Sequence, residues 1–101
     1  MIAGMDVTVR DDGQGRYEAV TGSGEVVGFA AYQRQGGALV FPHTVVDPQH
    51  QDQGVGTALA TAALDDARAK GLSVVPACEF FAVFLDQHEE YQDLVAAEPG
   101  R

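Results

Sequence analysis

The side chains with the most chemistry in them are few. Cys78 is the single cysteine, the histidines are His43, His50 and His88, and Gly54 and Gly56 flank Val55 in "HQDQGVGTALATAALDDARAKG", His50 to Gly71. Glycine costs a helix about 1 kcal/mol against alanine, so two of them at the start of an alanine-rich helix need a reason. A strand, a glycine-bearing loop and a helix N-terminus make an anion site. The first-turn N–H groups lack partners within the helix, the helix dipole favours negative charge, and glycine admits a ligand close to the backbone. "QDQGVGT" is suited to a pyrophosphate, with Thr57 adding a hydroxyl. The competing reading is a helix start that needs a turn. The stretch is neither a Rossmann fingerprint, which needs a further glycine and a later acidic residue, nor a P-loop, which needs Gly-Lys-Ser/Thr.

Histidine is the usual general base near neutral pH, and His43, on the strand expected to bulge, is the first candidate for that role. The alternative is a hydrogen-bonded histidine that fixes its strand. Cys78 follows a strand and opens a helix, a position that lowers a thiol's pKa, although adjacent Glu79 opposes the effect. It is a candidate nucleophile, or else a small apolar lining residue. His50 and His88 read as surface residues, and Phe80, Phe81 and Phe84 as core. No His, Cys and carboxylate spacing makes a zinc site, so no metal is expected.

The elements that must position these groups follow from periodicity. "DVTVR" alternates with Val7 and Val9 on one face, Asp11-Asp12-Gly13 signals a turn, "GRYEAVT" alternates again, and "GSGE" leads into "VVGFAAYQR". Gly36-Gly37 then turns the chain into "ALVFPHTVV". This predicts four strands in an antiparallel meander. Proline cannot donate to a ladder, and the apolar flanks of Pro42 argue for a buried strand, so a bulge is expected near Pro42 and His43. From Gly54 to Lys70 the period is helical. Val55, Leu59, Ala62 or Ala63, and Ala67 form an apolar stripe, and Asp65, Asp66, Arg68 and Lys70 form the solvated side. Gly71 is a natural stop. "LSVVP" is a short buried strand. "CEFFAVFLDQHEEYQDLV" is helical again, with Phe80, Val83, Phe84 and Gln87 on one face, widened by Phe81 and Leu85.

The chain of 101 residues reads as a single domain, 1–101, with no internal repeat. Fifteen acidic residues face six basic ones, a net charge of −9 without any Lys/Arg cluster. That disfavours nucleic acid and anionic membrane surfaces as partners and would attract a cationic substrate such as an amine. A lone cysteine forms no intramolecular disulfide. "MIAGMDVTVRDDG" has no basic region followed by an apolar run, so no signal peptide and a cytoplasmic location are expected.

Gln51, Gly54 and Gly56 match the Gln/Arg-x-x-Gly-x-Gly/Ala signature of the GNAT superfamily of N-acetyltransferases, between a central strand and a long helix. More specifically, His43 to Val95 resembles the minimal, YjdJ-type GNAT-like family, with His-Thr before the loop, then Pro-x-Cys and an aromatic helix ending near His-x-x-Tyr. The resemblance implies an α/β (α+β) GNAT-like fold. Its parts would be the four-stranded meander, a central helix, a further strand parallel to the fourth, and a C-terminal helix. It also implies acetyl-CoA as cosubstrate. The pantetheine arm would run along Thr44, Val45 and Val46, where that strand splays from "LSVV", and one of Phe80, Phe81 and Phe84, read otherwise as core, could flank it. The pyrophosphate would sit on the loop Gln51, Asp52, Gln53, Gly54, Val55, Gly56, with Thr57 beside it. A cysteine recurs at the position of Cys78, which would then accept the acetyl group. The oxyanion donor would be a backbone N–H near Val45, and Tyr91 could protonate a leaving thiolate, although its helical context speaks for packing. The chain is short for the superfamily and lacks early helices that commonly wall the acceptor site, which implies an open site.

The leading expectation is an acetyl-CoA-dependent N-acetyltransferase acting on an amine, a protein lysine or N-terminus among the possibilities, as a monomer or homodimer. The alternatives are a non-catalytic acyl-CoA-binding module and a structural subunit that has lost ligand binding.

Overall fold

Alternation in the first half of the chain yields β1 (Val7–Asp11), β2 (Arg16–Thr21), β3 (Val26–Gln35) and β4 (Ala38–Val46). The computed structural model describes residues 7–50 and 54–95. Within them a five-stranded sheet runs in the order β1-β2-β3-β4-β5, the first four strands antiparallel and β5 (Ser73–Val75) parallel to β4. The expected meander and the further parallel strand are both there. Asp12 shapes the first turn by accepting the N–H groups of Gln14 and Arg16. Gly36-Gly37 closes the third hairpin, where Gln35 pairs with Ala38.

The bulge lies where Pro42 requires it. Gln33 pairs with Val40 and Ala31 with His43, so Phe41 and Pro42 together oppose Tyr32. Proline's missing donor is absorbed there, and strand alternation shifts by one position. Before the bulge, Leu39 and Phe41 point into the core. After it, Thr44 and Val46 take that side, and His43 and Val45 take the other.

Helix α1 (Val55–Ala69) buries Val55, Leu59, Ala60, Ala63, Leu64 and Ala67 against the sheet. Ala63, not Ala62, belongs to the stripe. Its polar side does more than meet solvent. Asp66 pairs with Lys70 at 2.9 Å and also accepts the Tyr17 hydroxyl at 2.6 Å, and Asp65 accepts the Tyr91 hydroxyl at 2.7 Å.

The aromatic C-terminal segment departs from the expected single helix. Helix α2 spans Glu79–Asp86, and a separate 3-10 helix follows over Glu89–Leu94. Side chains cap the break: His88 Nδ1 lies 2.7 Å from the Phe84 carbonyl oxygen, and Gln92 Nε2 donates to that of Leu85. His88 therefore packs, its ring stacked on Phe84 at 3.8 Å, and is not the surface residue expected. The buried face is Phe81, Phe84 and Leu85, while Phe80 and Val83 stay 39% and 46% exposed. A tertiary contact sets this rotation. Phe81 stacks on Phe41 at 4.3 Å with the rings 9° apart, which brings α2 to the same sheet face as α1.

The other face carries a polar row. Glu18 accepts from Arg10 at 3.1 Å and from Arg16 at 3.0 Å. The Arg16 guanidinium lies 4.3 Å from the centre of the Phe29 ring, and Phe29 meets His43 edge-on at 6.1 Å.

Candidate functional site

β4 and β5 run together only briefly. They pair from Ala38↔Ser73 to Val40↔Val75, and the last tie is the Cys78 N–H donating to the Phe41 carbonyl at 2.8 Å. Beyond it, no strand among the described residues pairs with β4 on that side. The Asp47 N–H donates to the Val27 carbonyl, and Val45 is in register with Phe29. Alternation therefore turns the backbone groups of His43 and Val45 toward β3, and those of Thr44 and Val46 toward the opening.

Cys78 is the N-cap residue of α2, with φ −96° and ψ 149°. Its Sγ lies 3.4 Å from Thr44 Oγ1. Next to this pair is a cavity of about 400 Å³, bounded by Thr44 and Val46 on the strand, by Gly54 to Thr57 at the start of α1, and by His50 and Phe80. Among the described residues, the lining carries no Asp, Glu, Lys or Arg. No side chain among the described residues caps the N-terminus of α1, so its first-turn amides are open to a ligand on that side.

The two glycines have different causes. Gly54 is the N-cap residue of α1 with φ +82°, a left-handed conformation that side chains rarely adopt, and a Cβ there would meet only open space. Gly56 is helical. A Cβ there would lie 2.9 Å from Phe80 Cζ, so the phenyl ring already occupies the room that glycine leaves.

The structure brings Thr44, Gly54, Gly56 and Thr57 to one cleft, sets Cys78 beside it through Thr44, and leaves His43 outside it, on the opposite sheet face against Phe29. His43 and Cys78 are therefore not a nucleophile and base in contact. Val45 is 45% exposed on His43's face. The Val55 side chain is buried in the core, so only its backbone can meet a ligand. Gln51, Asp52 and Gln53 lie outside the described residues. Tyr91 packs at the far end of α1. Its Asp65 hydrogen bond and, next, burial push its hydroxyl up to about 12.

His50 was read as a surface residue, and the structure corrects this. It ends the 3-10 turn Pro48–His50 and faces the cavity with its side chain 15% exposed. Its Nδ1 is buried without a hydrogen-bond partner among the described residues, with Asp47 Oδ2 at 3.7 Å. The polar run around it hid this. The Asp-x-x-His spacing after a strand was the available signal.

Among the described residues no group of His, Cys, Asp and Glu could hold a metal ion, and no helix is long and apolar enough to cross a membrane.

A mixed sheet whose fourth and fifth strands part beside an uncapped helix start is the architecture of the GNAT superfamily. The sequence pattern of the GCN5-related N-acetyl-transferases matches residues 16–94, and the chain belongs to that family. The fold is similar to the NMR solution structure of a GCN5-like protein from Staphylococcus aureus, itself a candidate N-acetyltransferase. The TM-score is 0.70 at 20% sequence identity, over 99% of this chain and 96% of that one. No curated protein matches the sequence. Family membership points to acyl-CoA-dependent transfer as the class of chemistry.

Proposed function

We propose that this chain is a single-domain, acetyl-CoA-dependent N-acetyltransferase of the minimal YjdJ type, acting on an amine. The observation that carries the reading is the Thr44–Cys78 pair at 3.4 Å, at the head of a cleft whose other end is the uncapped start of α1. In this reading the backbone of Thr44 and Val46 pairs with the pantetheine arm. The amides from Val55 to Thr57 hold the pyrophosphate, and the thioester lies at Cys78.

The chemistry then balances in either of two ways. In direct transfer the neutral amine attacks the thioester carbonyl, a C–N bond forms, the C–S bond breaks, and the CoA sulfur takes the proton that the amine loses. Through Cys78, the thiol gives up its proton as Sγ bonds to the acetyl carbon and CoA leaves as the thiol. The amine then displaces Sγ, which regains a proton. An outward amide of Thr44 or Val46 suits the developing oxyanion better than that of Val45, which is directed at β3. His43 serves as a base only for an amine that enters from the uncovered sheet face. The charge of −9 favours a cationic acceptor, such as a protein lysine or N-terminus.

The test is calorimetric titration with acetyl-CoA and intact-mass measurement of the same mixture. Binding, turnover with amines, and an acetyl adduct absent from Cys78→Ala would establish the covalent route. Binding with neither adduct nor turnover would establish a non-catalytic acyl-CoA-binding module, the reading favoured by a cavity whose described lining residues include no acidic or basic side chain other than His50. An absence of binding would refute both.

A further inference from the structure

Phe80 is the aromatic residue of α2 that core packing does not explain. Phe81 is fully buried on Phe41 and Phe84 is buried, yet Phe80, beside them, keeps 39% of its surface exposed. Its ring meets Phe81 edge-on at 6.0 Å and Phe84 at 6.3 Å, so the core holds one flank only. The far edge crosses the cleft to the first turn of α1. A Cβ on Gly56 would stand 2.9 Å from Cζ, closer than real contacts come, and a tight 3.2 Å from Cε1. The ring thus spans the cleft between two polar stations, the Thr44–Cys78 pair and the start of α1, with Thr44 and Val46 also lining the space.

A phenyl ring has no donor or acceptor, so it can reward only apolar contact. Phosphates are served by the amides and hydroxyl at the start of α1. The pantetheine arm, with its gem-dimethyl group and methylene chain, is the part of CoA that an apolar plate would hold. We propose that Phe80 is the wall that grips this arm. It makes affinity for the thioester-bearing half of CoA, and not for the nucleotide half, depend on one side chain. Gly56 seats the ring by leaving room for its edge. The proposal rests on the CoA reading of the cleft.

The experiment titrates wild type, Phe80→Ala and Phe80→Leu with CoA and with ADP, which carries the adenosine and pyrophosphate without the arm. Thermal melts confirm that each variant is folded. Phe80→Ala should weaken CoA about tenfold while leaving ADP within about twofold, and Phe80→Leu should recover most of the CoA affinity. Equal CoA affinity in Phe80→Ala and wild type would overturn the wall while leaving the CoA site standing. So would equal losses for both probes. Tighter binding of both probes by Phe80→Ala would make the ring a cover that ligands displace, which also overturns the proposal. Failure of wild type to bind CoA would remove the site itself and the wall with it.

Discussion

Gly56→Ala isolates the contact between the two helix starts. Gly56 is absent from the positions with positive φ, so alanine fits its backbone. In a helix interior the exchange gains about 1 kcal/mol, and somewhat less in the first turn. Against this, the new methyl would stand 2.9 Å from Phe80 Cζ, where ordinary carbon contacts lie at about 3.5–4.0 Å. The contact is at the outer edge of a ring that is 39% exposed, so the ring can withdraw, at about 0.5–1.5 kcal/mol for an off-rotamer position. Gain and cost nearly cancel, and Gly56→Ala alone should fall within about 1 kcal/mol of wild type. Phe80→Ala alone should cost about 1–2 kcal/mol, less than a fully buried phenyl because part of the ring already meets water. In that background the obstacle is gone, and Gly56→Ala should stabilise. The expected coupling is about 1 kcal/mol, read from urea denaturation of the four proteins at equal slopes. An identical effect of Gly56→Ala in both backgrounds would refute the claim that the Phe80 ring is what demands glycine at this position.

Gly54 should behave differently. Its φ of +82° makes Gly54→Ala cost about 1–2 kcal/mol whatever sits at residue 80, and Gly54→Asn less, in the same denaturation assay. Thr57→Glu places a carboxylate in the first turn of α1, which should add about 0.3–1 kcal/mol of stability. It should also weaken calorimetric binding of both ADP and CoA, and unchanged binding would remove the anion from that helix start. The Tyr17 hydroxyl, followed by Lys70, holds the Asp66 carboxyl below its usual value of 3.8. A depressed folded value means stability that is present above 3.8 and lost as pH falls through the lower one. Tyr17→Phe should therefore cost about 1 kcal/mol at neutral pH, after allowance for the partial exposure of Asp66, with the gap to wild type closing as pH falls below 3.8 and through the lowered folded value. A gap independent of pH would show that the hydroxyl does not act through Asp66. Arg68 donates to both carboxylate oxygens of Asp93 at 3.0 Å and to the Glu90 carbonyl at 2.6 Å. Arg68→Ala should speed amide hydrogen exchange across Glu89–Leu94 without altering the CoA titration. Unchanged exchange would show that this clamp does not hold the segment.

The features legible in the residues were those that short-range chemistry dictates. Alternation set the four strands, and paired glycines or Asp-Gly set the turns. A proline in an apolar strand called for a bulge, and the change of period at Gly54 began a helix that Gly71 ended. Each depends on groups within a few residues of one another, so the sequence determines it. The glycine-bearing helix start was visible for the same reason, and the family signature rests on it.

Contacts between distant segments decided the rest. The stacking of Phe81 on Phe41 chose which face of α2 is buried, and so left Phe80 across the cleft, where periodicity alone put Phe80 in the core. The bulge was foreseen, but its effect on the following residues was not. It sends Thr44 toward Cys78 and turns His43 to the opposite sheet face, so the candidate base and the candidate nucleophile do not meet. Thr44 and Cys78 are 34 residues apart, and no local pattern links them. His50 is polar and set among polar neighbours, yet it lines the cavity, because burial depends on what the rest of the chain places above a residue. The sequence by itself determined the elements and the helix start that suits an anion. Only the tertiary structure decided which side chains share the cleft, because that depends on the packing of β4, α1 and α2 against one another.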